Sequence, residues 1–148
     1  MNRKGITLIE LVVVMVIIAI GAVLLVPNIG AWLPNYRLRS AARDICSTMR
    51  TAQIKAVSTN TVYRVEFDVT KGSYILQVQT TAGLKDDGAR QSLPKGVSFV
   101  SASFSGGVPY VNFNPNSTAS SGSVVLKNRK GAQKKITVTA ATGRTYIE

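Results

Sequence analysis

Residues 1–26 read MNRKGITLIELVVVMVIIAIGAVLLV and decide the fold. A short basic leader ends at Gly5, and the long apolar run that follows is broken by one acid, Glu10. A secretory signal has its small-residue cleavage site after the apolar core, whereas here Gly5 precedes the core and no A-x-A-like site follows Val26. Cleavage at Gly5 would therefore remove the leader and leave the apolar segment on the mature chain.

The apolar segment 6–26 is long enough to cross a bilayer, since a helix of this length spans roughly 31 Å. The twelve Leu, Ile and Val residues between Leu11 and Val26 favour insertion by roughly 4 to 7 kcal/mol, whereas an acid costs about 2.5 to 3.5 kcal/mol at mid-membrane. We therefore expect insertion despite Glu10. An acid in such a segment needs a cationic partner. The nearest candidate is the α-amine created by cutting between Gly5 and Ile6, from the same chain or a neighbouring one.

The hexapeptide GITLIE at residues 5–10, followed by an apolar run, resembles the prepilin cleavage motif of type IV pilins and type II secretion pseudopilins. The resemblance implies that a prepilin peptidase cuts between Gly5 and Ile6 and N-methylates Ile6, where the family most often has Phe. It also implies that Glu10 guides the subunit into a filament.

The same resemblance implies where the chain works and with what. The precursor would lie in the bacterial inner membrane as a single-pass protein with its C-terminal domain in the periplasm, in contact with membrane lipid before assembly. Its partners would be the prepilin peptidase, the inner-membrane assembly platform and other pilins or pseudopilins in an assembled pilus or pseudopilus.

Length and composition limit the rest of the chain. Of 148 residues, about 110 remain after the membrane segment, enough for one small domain. The net charge is +11, which loss of Arg3 and Lys4 lowers to +9, and it favours anionic partners such as nucleic acid or an acidic neighbouring subunit. With one Cys, no His and scattered acids, the sequence offers no internal disulfide and predicts no metal site, no cofactor and no enzymatic activity.

Two prolines, Pro27 and Pro34, interrupt the segment after the apolar run. Each removes a helix hydrogen bond and disfavours helical geometry in the residue before it. The sequence therefore predicts a Pro/Gly hinge at 27–34. In the resembled family a proline near Pro27 accompanies helix unwinding in the filament, while a plain helix end followed by a linker explains the same residues.

The predicted fold class is α+β: a long N-terminal helix packed on a C-terminal antiparallel β-sheet domain, the pilin fold. The expected domains are the leader 1–5, the transmembrane or filament-core helix 6–26, the hinge 27–34 and a globular domain 35–148. Within that domain, helix 35–57 shows apolar residues at spacings of three and four, and 61–148 is β-rich. The apolar positions are Leu38, Ala42, Ile45, Met49, Ala52 and Ala56.

Alternation of apolar and polar residues from Tyr63 to Val78, around a turn at Lys71–Gly72, predicts a β-hairpin. Further short strands are predicted near residues 97–100, 110–113, 123–126 and 135–140. Cys46 adjoins the apolar face of the helix and is interpreted as a small hydrophobic residue. Asp86–Asp87–Gly88 is interpreted as a turn, because two adjacent acids lack the ligand spacing of a calcium loop.

The C-terminal part carries a second resemblance. Phe113–Asn114–Pro115, then Gly122, a strand, a turn at Gly131 and Thr142–Gly143–Arg144 are similar to the minor pilin and pseudopilin H family (GspH/FimT-like). This resemblance favours a minor subunit over the major pilin. Secretion and pilus systems share the same leader and fold, so the sequence leaves the system open.

Six cations cluster within the last 22 residues: Lys127, Arg129, Lys130, Lys134, Lys135 and Arg144. Some members of the resembled family take up DNA through a basic C-terminal region with a Gly-Arg motif, which Gly143–Arg144 resembles, although Tyr146 stands where the motif has a second Arg. A DNA-binding minor pilin is thus the alternative function, with Tyr146 available for base stacking. A solvated or subunit-facing surface explains the same residues.

Overall fold

A computed structural model of the chain describes residues 7–148, apart from the side chains of residues 24–29 and 31. The chain divides into two compact units, Met1–Leu33 and Pro34–Glu148. Of the first unit, the structure describes residues 7–33, which hold the start of one long helix. The second holds the rest of that helix and all nine strands found among the described residues.

Helix α1 runs from Leu8 to Ser58. Thr7 begins it: its carbonyl accepts hydrogen bonds from the N–H groups of Glu10 and Leu11, and its Oγ1 lies 3.4 Å from the Glu10 nitrogen. A threonine followed three residues later by a glutamate is a recognised N-capping pair, and an acid in the first turn suits the helix dipole. The sequence thus places the helix start beside the predicted cleavage site.

Residues 27–34 are helical, so the break between two helices that the prolines suggested is not observed. A proline inside a helix removes one hydrogen bond and kinks or weakens the helix without having to end it. Unwinding at the predicted hinge on entry into a filament stays a prediction.

The predicted apolar face of the second helical half is confirmed. All six of its apolar positions are buried in the core of the second unit: Leu38, Ala42, Ile45, Met49, Ala52 and Ala56. Cys46 is also buried. Small residues on this face let the helix lie close against the sheets, while Arg39, Arg43 and Arg50 remain exposed.

The first sheet is antiparallel, in the order β3–β2–β1–β6, with the short strand β4 also paired to β2. The predicted hairpin is confirmed as β1 and β2, with Phe67 opposite Tyr74. Strands β3 and β4 were not predicted, since both are short and exposed and lack alternating apolar residues. The bounds are β1 Tyr63–Asp68, β2 Ser73–Thr80, β3 Gly83–Asp86, β4 Gln91–Ser92 and β6 Tyr110–Phe113.

The second sheet is also antiparallel, in the order β5–β7–β8–β9. The inner face of its two central strands carries Val124, Leu126, Ile136 and Val138, all buried, and Phe99 and Phe104 of β5 meet Phe67 of the first sheet. The bounds are β5 Val97–Phe104, β7 Gly122–Asn128, β8 Gln133–Val138 and β9 Thr145–Ile147. The α+β prediction is confirmed, with two antiparallel sheets sharing one core with the helix.

Candidate functional site: the start of the helix and the basic surfaces

Glu10 lies in the first turn of α1 with an exposed side chain. Its backbone N–H is held by Thr7, and no salt bridge to its carboxylate is found within the described part of the chain. Gly5 and Ile6, the predicted cleavage residues, lie outside the described residues.

The apolar side chains that follow Glu10 are exposed around the whole helix. From Leu8 to Val23, every large apolar side chain is 44–82% exposed. A helix that is apolar on all sides belongs inside a membrane or an assembly, because water would otherwise contact the entire surface. Among the described residues no helix reaches both the length and the apolarity needed to cross a membrane. The side chain of Pro27, the predicted hinge residue, is outside the described set.

Neither acid of the Asp86–Asp87 pair is placed for binding a cation. Asp87 forms an ion pair with Lys55 at 2.7 Å, and Asp86 accepts a hydrogen bond from Gln77 at 2.9 Å. The hydrogen bond to Asp87 raises the pKa of the Lys55 amine. Within residues 7–148 no group of three potential metal-binding side chains is found. The turn predicted at Asp86–Asp87–Gly88 is wrong for Asp86, which ends strand β3, whereas Gly88 lies in a bend.

A cleft of about 270 Å³ opens between α1 and the first sheet, lined by residues that include Thr48, Tyr74 and Gln91. The buried Tyr74 hydroxyl donates a 2.7 Å hydrogen bond to Gln91 Oε1. Burial raises the pKa of the Tyr74 phenol, a hydrogen bond with Thr48 opposes that rise, and the negative charge of Asp44 adds to it. Tyr74 thus has a neutral phenol whose hydroxyl is hydrogen-bonded, as expected for a tyrosine with a structural role.

The structure separates the six cations of the predicted DNA-binding set. Arg129 and Lys130 lie in the turn between β7 and β8, and Asn128 in that turn hydrogen-bonds Asn35 near the start of the second unit. Arg144 lies near Gln53, whose side chain donates a hydrogen bond to Thr142 at 2.7 Å. Gln53 lies eighteen positions after Asn35 in the same helix, a rise of roughly 27 Å. Arg144 is therefore far from the turn cations.

The cations on strands β7 and β8 do not share one surface either. Lys134 and Lys135 are neighbours on β8, so their side chains leave opposite faces of the sheet. Lys135 lies 3.6 Å from Glu148, which partly offsets its charge, and Lys127 is exposed on β7. Tyr146 is 40% exposed on β9. The six residues thus form no single patch, and DNA binding by them stays a prediction.

The structure gives Gly143 a local role that the sequence did not show. Its φ is +60°, and a Cβ there would lie 2.8 Å from the Ser117 carbonyl and 2.9 Å from Gln53 Nε2. Both conditions favour glycine. The Gly-Arg pair therefore has a structural explanation in how this turn packs on the helix, apart from any ligand.

Sequence reasoning also missed Asn128. The Asn128 side chain is buried, and its Oδ1 accepts hydrogen bonds from the N–H groups of Lys130 and Ala132. Its Nδ2 donates to Asn35 Oδ1 at 2.8 Å. The Asn-x-x-Gly turn pattern is the one sequence signal that pointed to this position.

Comparison with known families gives two matches to the sequence. The family described as type II transport protein GspH matches residues 41–143, and the prokaryotic N-terminal methylation motif matches residues 1–26. No curated protein matches the sequence significantly.

Solved structures share the fold at low sequence identity. The minor pseudopilin EpsH from the type 2 secretion system of Vibrio cholerae superposes with a TM-score of 0.64 at 12% identity, covering 76% of this chain and 96% of that one. The type IV minor pilin FimU of Pseudomonas aeruginosa gives 0.62 at 14% identity, covering 77% and 90%. At such identities the likeness shows the fold alone.

Proposed function

Because this chain belongs to the GspH family of type II transport proteins, we propose that it is incorporated into a type II secretion pseudopilus or a type IV pilus through its N-terminal helix. It is a minor pilin or pseudopilin by family and fold. The observation that carries the proposal is the combination of an exposed Glu10 in the first helical turn with a helix whose apolar side chains are exposed on every side.

Packing of these helices in a filament supplies the driving force for assembly. Large apolar side chains such as Leu8, Ile17 and Val23 are exposed in the single chain. Each such side chain gains roughly 1.5 to 3 kcal/mol when it moves from water into an apolar environment. Before assembly, the lipid of a membrane covers the same side chains, so residues 6–26 serve first as a single-pass anchor and then as the filament core.

Glu10 gives this otherwise non-directional packing a defined register. A carboxylate enclosed by apolar helices costs several kcal/mol unless a cation pairs with it. The α-amine of a mature Ile6 on a neighbouring subunit supplies that cation. A subunit out of register leaves both charges buried and unpaired, so only the matched position is stable. Glu10 thus selects position, while the apolar residues provide affinity.

The proposal includes maturation by a prepilin peptidase, which the matched methylation motif at residues 1–26 supports. Cleavage between Gly5 and Ile6 frees the amine that pairs with Glu10, and N-methylation keeps that amine cationic. The precursor lies in the bacterial inner membrane with residues 35–148 in the periplasm, where the assembly platform and other pilins receive it. Pro27 lowers the cost of local unwinding when the helix enters the filament.

The test compares Glu10→Ala with Glu148→Ala, which removes an exposed acid remote in sequence from the apolar segment. Both full-length variants should fractionate with the membrane and lose the leader, as intact mass shows. Glu10→Ala should reduce the protein recovered in sheared filaments at least tenfold, about the effect of 1.4 kcal/mol, while Glu148→Ala matches the parent. Normal recovery of Glu10→Ala would overturn the role of Glu10, and an uncut precursor would overturn the maturation.

A further inference from the structure

Three turns meet beside the first helical residues of the second unit. Arg37 Nη1 donates to the Lys95 carbonyl at 3.1 Å, and the Arg129 N–H donates to the Gly96 carbonyl at 3.1 Å. The Leu93 N–H also donates to the Gly72 carbonyl at 2.9 Å, which joins the β1–β2 turn to this group. Residues 95–96 and 128–131 are thereby held beside the first helical residues of the second unit.

These contacts gather five cations, which we call the basic cluster. Four of the five side chains are exposed, and Arg37 is half-buried. Two acids, Asp68 and Glu148, form ion pairs with lysines outside the cluster. Asp68 pairs with Lys71 at 3.8 Å, and Glu148 pairs with Lys135 at 3.6 Å. The basic cluster consists of Arg37, Lys95, Lys127, Arg129 and Lys130.

The order of residues along the chain indicates what faces the basic cluster. The apolar segment ends at Val26, Trp32 and Tyr36 follow with 60% and 52% of their surface exposed, and the first cation of the cluster is Arg37. An apolar segment followed by amphipathic aromatic residues and then cations is the order in which membrane segments meet the headgroup layer.

We propose that the basic cluster binds the anionic headgroups of the membrane that holds the precursor, and so positions the domain against the bilayer before assembly. This inference rests on the proposed membrane anchoring of residues 6–26. DNA would suit the same charge, but the apolar segment and the aromatic residues that precede the cluster in the sequence favour a lipid surface. Extraction into a filament breaks these contacts, so they hold the subunit in the membrane-bound state.

The test uses the fragment 34–148, whose core is composed wholly of its own residues from Leu38 to Val138. The fragment is mixed with vesicles of phosphatidylcholine alone or with phosphatidylglycerol added, and the bound fraction is measured by sedimentation. We expect binding only to the anionic vesicles. Raising the salt from about 0.1 M to about 1 M shortens the Debye length from roughly 10 Å to roughly 3 Å and should release the fragment.

Two matched triple variants locate the binding surface. Lys95→Glu/Arg129→Glu/Lys130→Glu should lower partitioning by at least about 100-fold, since each cation near an anionic surface contributes about fivefold. Lys85→Glu/Arg90→Glu/Arg144→Glu reverses the same number of charges outside the basic cluster and should retain most of the binding. Circular dichroism and urea unfolding confirm that both variants are folded.

Equal binding to the two kinds of vesicle, no binding to the anionic vesicles, or equal losses in the two variants would overturn the proposal. Tighter binding of a DNA duplex than of anionic vesicles at the same salt, lost in the first variant, would overturn it in favour of nucleic acid. Full-length protein carrying the first variant should still fractionate with the membrane. Absence of the parent protein from the membrane fraction would instead contradict the proposed function.

Discussion

Asn128 donates a hydrogen bond from Nδ2 to Oδ1 of Asn35 at 2.8 Å, although the two residues are 93 positions apart in the chain. The bond ties the turn between β7 and β8 to the helix near the start of the second unit. Asn128 Oδ1 meanwhile accepts two backbone N–H groups of its own turn. One buried side chain thus sets the shape of a basic turn and its position against the helix.

Replacement of Asn128 should be costly for this reason. Asn128→Ala removes three hydrogen bonds, two from turn N–H groups and one to Asn35, and each such bond contributes about 0.5 to 1.5 kcal/mol. We expect the free energy of unfolding of fragment 34–148 to fall by about 2 to 3 kcal/mol in urea titrations. Replacing the nearby exposed Gln133 by Ala should change it by less than about 0.5 kcal/mol. Similar small losses in both variants would show that the turn holds its shape without Asn128.

Gly122 should tolerate no side chain. A Cβ at this position would lie 2.4 Å from the Ser103 carbonyl and 2.5 Å from Phe104 Cα, both backbone atoms of the paired strand β5. We expect Gly122→Ala to destabilise the fragment by more than about 3 kcal/mol, because the two strands must separate. Gly131 also has a positive φ but no heavy atom within 4 Å of its Cβ position. Gly131→Ala should cost only about 1 kcal/mol, and equal costs measured by urea unfolding would argue against the close approach.

Cys46 should be unreactive while the domain is folded. Burial raises the pKa of the Cys46 thiol, and the nearby charge of Arg50 only partly opposes that rise. Since the thiolate is the reactive form, a thiol reagent such as 5,5′-dithiobis(2-nitrobenzoate) should modify the folded fragment slowly at neutral pH. The same protein in urea serves as the control and should react at the rate of a free cysteine. Immediate reaction of the folded fragment would contradict the burial of Cys46.

Tyr74 should make the domain less stable at high pH. Burial raises the pKa of the Tyr74 phenol above its ordinary value of 10.0, so the unfolded chain loses this proton at a lower pH than the folded one. The free energy of unfolding should be unaffected by Tyr74 below about pH 10 and should fall as the pH rises from there through the folded-state pKa.

Tyr74→Phe isolates this effect, because phenylalanine does not ionise. At neutral pH the variant loses the hydrogen bond to Gln91, which costs about 1 kcal/mol. Above about pH 10 its unfolding free energy should fall less steeply than that of the parent. Lys55, whose pKa is also raised, titrates in both proteins and cancels in the comparison. Parallel pH profiles from urea unfolding would contradict the raised pKa of Tyr74.

Much of the fold could be read from periodicity. Spacings of three and four from Leu38 to Ala56 predicted the buried helical face, and alternation from Tyr63 to Val78 predicted the hairpin, because burying one face imposes the period of the element. Strands β3 and β4 carried no such signal, since they are exposed edge pieces held by backbone pairing to β2. The prediction of a helix break at 27–34 gave the two prolines too much weight. Each proline removes a helix hydrogen bond, but the residues remain helical.

The sequence by itself determined the order of parts: a short basic segment ending at Gly5, an acid at a helix start, an apolar run and one small α+β domain. These features depend on neighbours within a few residues, through capping, hydrophobic periodicity and local charge. Only the tertiary structure decided that Arg129 and Lys130 lie beside the start of the domain while Arg144 lies near Gln53. Nearness along the chain says little about nearness in space once antiparallel strands run the length of a sheet and place successive turns at opposite ends.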